Sequence, residues 1–193
     1  MKNAPAKYSS ALTALLIVSV IGCARAKIRD ERLPLQSGAI NSAEVILVKE
    51  VTAEKAWFSG DKANDSARIV QEKTIIRERF TALLIDWLRK KGFKPQPYSA
   101  ELANKAPVLE TVVTGFDHGS GAARALIGMG AGSSNMEIRV RLTRGQKTLS
   151  DFDVVATSGG RGGLISMSSF LEAHITDGTE KIADYLHTHI RAR

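Results

Sequence analysis

The chain has 193 residues, 44% hydrophobic and 24% charged, with a formal net charge of +7. These values suit one compact domain and exclude a low-complexity or disulfide-stapled chain, the latter because Cys23 is the single cysteine. The basic excess favours anionic surfaces such as lipid headgroups or a polyanionic wall, and equally serves plain solubility.

Residues 1–7 carry Lys2 and Lys7 and no acid, residues 11–21 (ALTALLIVSVI) are uncharged, and Gly22 precedes Cys23. A positive start, a short apolar run and a small residue at its end describe a secretory signal. The run is shorter than the roughly 20 apolar residues that cross a bilayer. Val20-Ile21-Gly22-Cys23 resembles the lipobox of bacterial lipoproteins. That resemblance implies cleavage before Cys23, diacylglycerol on its thiol and an acyl chain such as palmitate on the new amine, which together anchor a protein stably where one chain is marginal. Ala24 stands where an Asp would retain such a lipoprotein at the inner membrane, so the expected address is the outer membrane, facing the periplasm. The expected organisation is a leader over 1–22, a lipidated Cys and tether over 23–43, and a single α/β domain over 44–193.

Within the tether, residues 24–41 are charged and then turn-rich, with Pro34 and Gly38. Val45-Ile46-Leu47-Val48 is a β-branched run that predicts a buried strand. Residues 57–65 (WFSGDKAND) read as a loop, with Trp57 and Phe58 covering a core edge or meeting a membrane or a partner. From Ser66 to Lys91 the apolar residues Ile69, Ile76, Phe80, Leu83, Leu84, Trp87 and Leu88 fall at helical spacing. Asn64, Asp65 or Ser66 can cap that helix, and Gly92 suits its left-handed end. Pro95-Gln96-Pro97 breaks the chain, and residues 108–116 predict a second strand. A strand, a helix and a strand join most simply as a right-handed crossover with the strands parallel. Met136, Ile138, Val140 and Leu142 alternate with charged or polar neighbours, and after a turn at residues 144–147 the chain returns with Phe152, Val154 and Ala156 on one face, which predicts a hairpin. Residues 168–190 predict a second helix, weakened at Gly178, where a kink or close packing is expected. The expected fold is a two-layer α/β sandwich, in the order β-α-β-β-β-α, with a four-stranded mixed sheet and two helices on one face.

Little in the chain carries recognisable chemistry. The glycine segment 119–134 follows a strand, but Arg124 occupies the third-glycine position of a dinucleotide fingerprint and a hairpin follows in place of a βαβ unit. Three readings stay open for it: a flexible connection, a close-packed Gly/Ala turn, or a small-residue surface for a partner or bilayer. Its Arg124, Gly128, Gly130 and Gly132, with Arg161 of a second glycine loop, form the candidate partner or ligand surface. The histidines His118, His174, His187 and His189 lack metal-ligand spacing, so no metal is expected. Adjacent Asp117, His118 and Ser120 do not by themselves make a relay. Asp151 and Asp153 point to the wet face of a strand and read as solvated charges. No cofactor, nucleic acid or enzymatic activity is expected.

Thr114-Gly115-Phe116, the stretch from Ala123 to Gly132, the strand Glu137-Ile138-Arg139-Val140-Arg141-Leu142 and a C-terminal helix with Asp177-Gly178 together resemble domain of unknown function 4410, an uncharacterised bacterial lipoprotein family. The resemblance spans roughly residues 44–190 and implies no catalytic residues. The element order also resembles periplasmic α/β domains of the Tol-Pal β-propeller protein and the curli-secretion lipoprotein, which serve assembly and protein contacts. The expected function is a lipid-anchored protein that binds another envelope component; the alternative is a small-ligand or cell-wall-polymer binding module using Arg124 and Arg161.

Overall fold

The computed structural model describes residues 25–41, 43–61, 63–120, 122, 133–157 and 167–191. The expected leader, Cys23, Arg124, Gly128, Gly130, Gly132 and Arg161 lie outside the described residues.

Seven strands form one open sheet: β1 (Arg25–Leu33), β2 (Val45–Val48), β3 (Trp57–Ser59), β4 (Lys94–Pro97), β5 (Val108–Asp117), β6 (Asn135–Arg144) and β7 (Lys147–Thr157). Their spatial order is β1-β7-β6-β5-β2-β4, with β3 also paired to β5. β2 runs parallel to both β4 and β5, as the crossover argument requires, and the other long neighbours are antiparallel. The class is therefore mixed α/β as expected, but the sheet has seven strands where four were expected. The three added strands each have a physical reason. β1 occupies the stretch read as a tether: Ala26 and Ile28 pack on the core while two register shifts interrupt the alternation that would have marked a strand. β4 contains Pro95 and Pro97, tolerated because it is an edge strand. β3 is three residues long and continues the line of β2 along β5, with the bridge between Thr52 and Val112 between them.

The first helical rod is α1 (Ser66–Ile75), a π turn (Ile76–Phe80) and α2 (Thr81–Lys90). Asp65 caps it, its side chain accepting a bond from the Arg68 N–H at 3.1 Å. Gly92, at φ +86°, ends it, and the Phe93 N–H returns to the Leu88 carbonyl. Ile76, Phe80, Leu84 and Leu88 form a fully buried stripe at four-residue spacing. The second rod is α3 (Met167–Arg191), whose Leu171, Ile175, Ile182 and Leu186 join the same core. Among the described residues no helix is long and apolar enough to cross a membrane.

Gly178 marks close packing. A β-carbon there would stand 2.6 Å from Ile138 Cδ1 and 3.7 Å from the Phe80 ring. Adding a methyl returns about 1 kcal/mol of helix propensity, whereas adding more carbon to a filled contact costs roughly 1–3 kcal/mol. Gly178→Val is therefore expected to lower unfolding stability by about 2 kcal/mol, read from the urea midpoint at constant m-value, because its branched carbons meet Ile138 and Phe80 together.

Candidate functional site

Strand register gathers several chain ends at one end of the sheet. Arg25, Thr157, Asn135, Asp117 and Ser59 stand in a single row across β1, β7, β6, β5 and β3. β1 begins there, β5 and β7 finish there, and β6 starts there. The segments that contain the candidate residues Arg124, Gly128, Gly130 and Gly132, and then Arg161, therefore depart from this end.

Two buried histidines hold the exit and the return of the glycine segment. His118 follows β5. Its Nδ1 lies 3.0 Å from the Ser59 carbonyl and its Nε2 lies 2.8 Å from Glu72 Oε2. Both partners are acceptors, so a doubly protonated ring satisfies them: Nδ1–H donates to the carbonyl and Nε2–H to the carboxylate. Arg68 donates from Nε to the other Glu72 oxygen at 2.8 Å. His118 is 3% exposed and Glu72 5%. Burial opposes the charged imidazole, but the bonds to Glu72 and to the Ser59 carbonyl outweigh it and raise the pKa above the ordinary 6.5. Burial likewise opposes the Glu72 charge, and His118 and Arg68 overcome it, holding the carboxyl below its ordinary 4.5. At the return, Nε2 of His174 in α3 lies 3.0 Å from the Ser134 carbonyl, and its Nδ1 meets the Phe170 carbonyl. Both histidines stand edge-on to the Phe116 ring, with centroids 4.7 and 5.6 Å away.

This arrangement ties both ends of the segment to the fold. Both His118 nitrogens are committed to bonds within the fold. Asp117 turns away from it, its Oδ1 accepting the Gly119 N–H at 2.9 Å in a local turn. The neighbours Asp117 and His118 thus belong to different networks. His187 packs edge-on to Phe93, and Nδ1 of His189 meets the Tyr185 carbonyl. Among the described residues no group of three His, Cys, Asp or Glu side chains is placed to hold a metal ion.

Asp151 and Asp153 are not solvated charges. On the face of the sheet away from the two helical rods Arg32 bridges them, donating to Asp151 and to Asp153 at 2.8 Å, while Arg141 reaches the far oxygen of Asp151 at 3.0 Å. Burial acts against the Asp151 charge, yet Arg32 and Arg141 hold its pKa below the usual range. Away from this lattice, Val48, Ile85, Pro97 and Tyr98, with Lys49 and Glu50, line an apolar groove of about 550 Å³ at the carboxyl ends of β2 and β4. Sequence reasoning missed the Glu72–His118 pair, whose members lie 46 residues apart; a glutamate on the buried side of a helix stripe was the one available signal.

Residues 46–163, more than half of the chain, match the family described as Domain of unknown function (DUF4410). The chain belongs to the DUF4410 family. No curated protein matches it significantly. Similar solved structures include the PelC dodecamer from Paraburkholderia phytofirmans, at 13% identity over 80% of this chain and 97% of that chain with a TM-score of 0.43. Another is protein XCC0632 from Xanthomonas campestris, a DUF330 protein, at 11% identity over 86% and 94% with a TM-score of 0.46. Within this DUF4410 chain the His118 clasp gives a pH signature. With its pKa raised, His118 stabilises the fold fully below 6.5 and loses that contribution as pH rises through its higher folded value. Glu72, with its pKa lowered, contributes above 4.5 and loses that contribution as pH falls through its folded value. Stability measured by urea unfolding should decline as pH rises from about 6.5 through the folded His118 value in the wild type and lose that slope in His118→Gln. Glu72→Ala, which strands a buried charge, should cost about 3 kcal/mol near pH 6.

Proposed function

We propose that this protein is a lipoprotein of the cell envelope, anchored through acyl chains on Cys23 and facing the periplasm from the outer membrane. The observation that carries this reading is the leader itself: Lys2 and Lys7, then the uncharged run 11–21, then Val20-Ile21-Gly22-Cys23. Each part has a physical task, from holding the start at an anionic surface, through entering the bilayer, to presenting a thiol at the cleavage point. Its α/β domain then binds another envelope component, with Arg124, Gly128, Gly130, Gly132 and Arg161 as the contact surface. Both glycine-bearing segments leave the end of the sheet where β1 begins, two residues beyond Cys23, which favours a contact made close to the anchor.

A small-ligand module is the second reading, and the apolar groove beside Tyr98 favours it, since such sites combine apolar walls with a few polar groups.

Intact-mass analysis and membrane fractionation of protein made in its own host test the first reading together. The mature chain should begin at Cys23, carry fatty acyl mass and sediment with outer membrane, and Cys23→Ser should abolish the added mass. Protein beginning at Met1, free of acyl chains and recovered from the cytosol, would sink it.

A further inference from the structure

On the face away from the two helical rods, two ladder steps in from the end row, Lys27, Val155, Glu137, Gly115 and Trp57 form a second row of the same parity. The indole of Trp57 lies flat over Gly115: a β-carbon on that glycine would fall 2.0 Å from the ring. Only glycine leaves room for it. Yet the residue is 45% exposed, an unusual state for the largest side chain in a fold with a complete core elsewhere. The neighbouring carboxylate of Glu137 is neutralised by Arg29, and Lys27 is exposed in the same row.

We propose that Trp57 is a second membrane contact, the aromatic that seats this end of the sheet on lipid headgroups. This inference rests on the acylation of Cys23. A single residue, Ala24, separates Cys23 from Arg25, the first residue of β1, and that two-residue step reaches at most about 7 Å. Because the expected tether is instead a sheet strand, the anchor has no slack, and the end row is held at the bilayer surface. Trp57 sits about 7 Å further in, at roughly 3.4 Å per strand residue. It also lies four strand spacings from β1, about 19 Å across the sheet. One anchor at one corner lets the domain swivel; an indole at the opposite corner fixes its tilt. Trp is the residue that prefers the headgroup level, where its ring is half apolar and its N–H finds polar partners. The Arg29–Glu137 pair beside it removes a net negative charge that an anionic surface would repel.

The test uses full-length acylated protein in vesicles of phosphatidylethanolamine and phosphatidylglycerol with brominated acyl chains. The chain has two tryptophans, so Trp87→Phe leaves the emission of Trp57 alone. That emission should shift to the blue and be quenched by the bromolipid, and both effects should be absent for unacylated Cys23→Ser protein mixed with the same vesicles. If Trp87→Phe fails to fold, the difference between wild type and Trp57→Phe reads the same signal. Acylated protein, verified by intact mass, whose Trp57 emission is unmoved by bromolipid overturns this inference alone and leaves the lipid anchor standing; protein found without acyl chains overturns both.

Discussion

At Gly178 three parts of the molecule meet with no room between them. The helix α3 presents a bare backbone there, Ile138 projects from β6, and Phe80 comes from the end of the π turn. This contact sets the distance of α3 from the sheet and its position beside the first rod. With both rods fixed on one face, that face holds the core from Ile28 near one edge to Phe93 beside β4. Among the described residues no helix covers the other face. Alternation along β6 and β7 follows from that: Ile138, Val140 and Leu142 turn inward, while Glu137, Arg139 and Arg141 turn out.

An uncovered sheet face of seven strands invites stacking against another molecule, and the chain meets that hazard with charge. Arg32, Arg139 and Arg141 interleave with Asp30, Asp151 and Asp153 in a connected lattice, and Arg29 pairs separately with Glu137 beside it. Isolated surface pairs contribute about 0–1 kcal/mol each, so the lattice is a weak source of stability. Its effect is on specificity, since any apolar partner laid over it would strand desolvated ions. The two edges are defended by other means. β4 offers Pro95 and Pro97, which cannot donate to an added strand, and β1 carries charged side chains and two register shifts that spoil a straight edge.

Much of this was legible from residue patterns. The stripe Ile76, Phe80, Leu84 and Leu88 and the hairpin from β6 to β7 obey strong periodicities, and both lie where the sequence places them. The strands that escaped notice are those whose formation depends on a neighbour. β1 has only Ala26 and Ile28 to mark an inward face, and it is a strand because β7 offers it an unpaired edge. β3 is short because it only fills the line of β2 beside β5. The expected sheet was therefore too small at its margins and right at its centre. For the candidate site the limit is different. Glu72 and His118 are partners through tertiary geometry, and no spacing rule links positions 46 apart. The Asp117–His118 adjacency that invites a relay is broken where β5 ends: the Asp117 carboxylate accepts the Gly119 N–H, while His118 turns to the Ser59 carbonyl and Glu72.

The clasp and the strand register bear on the same end of the molecule. A long glycine-rich connection loses much conformational entropy if its ends are fixed, and here they are fixed firmly: His118 pins the exit to α1 through Glu72 and to β3 through Ser59, and His174 pins the return to α3. Such investment is unneeded for a passive linker between two antiparallel neighbours, because the pairing of Asp117 with Asn135 already brings its ends together. What the histidines add is direction: both ends are tied to the helical layer, and Phe116 is wedged between the two imidazoles. The rows of the sheet then make this a polarised domain, with the start of β1, the strand ends Asp117, Asn135 and Thr157 and the exposed Trp57 at one end, and the β6–β7 turn at the other. That polarity fits the anchor proposed at Cys23, two positions before β1 begins.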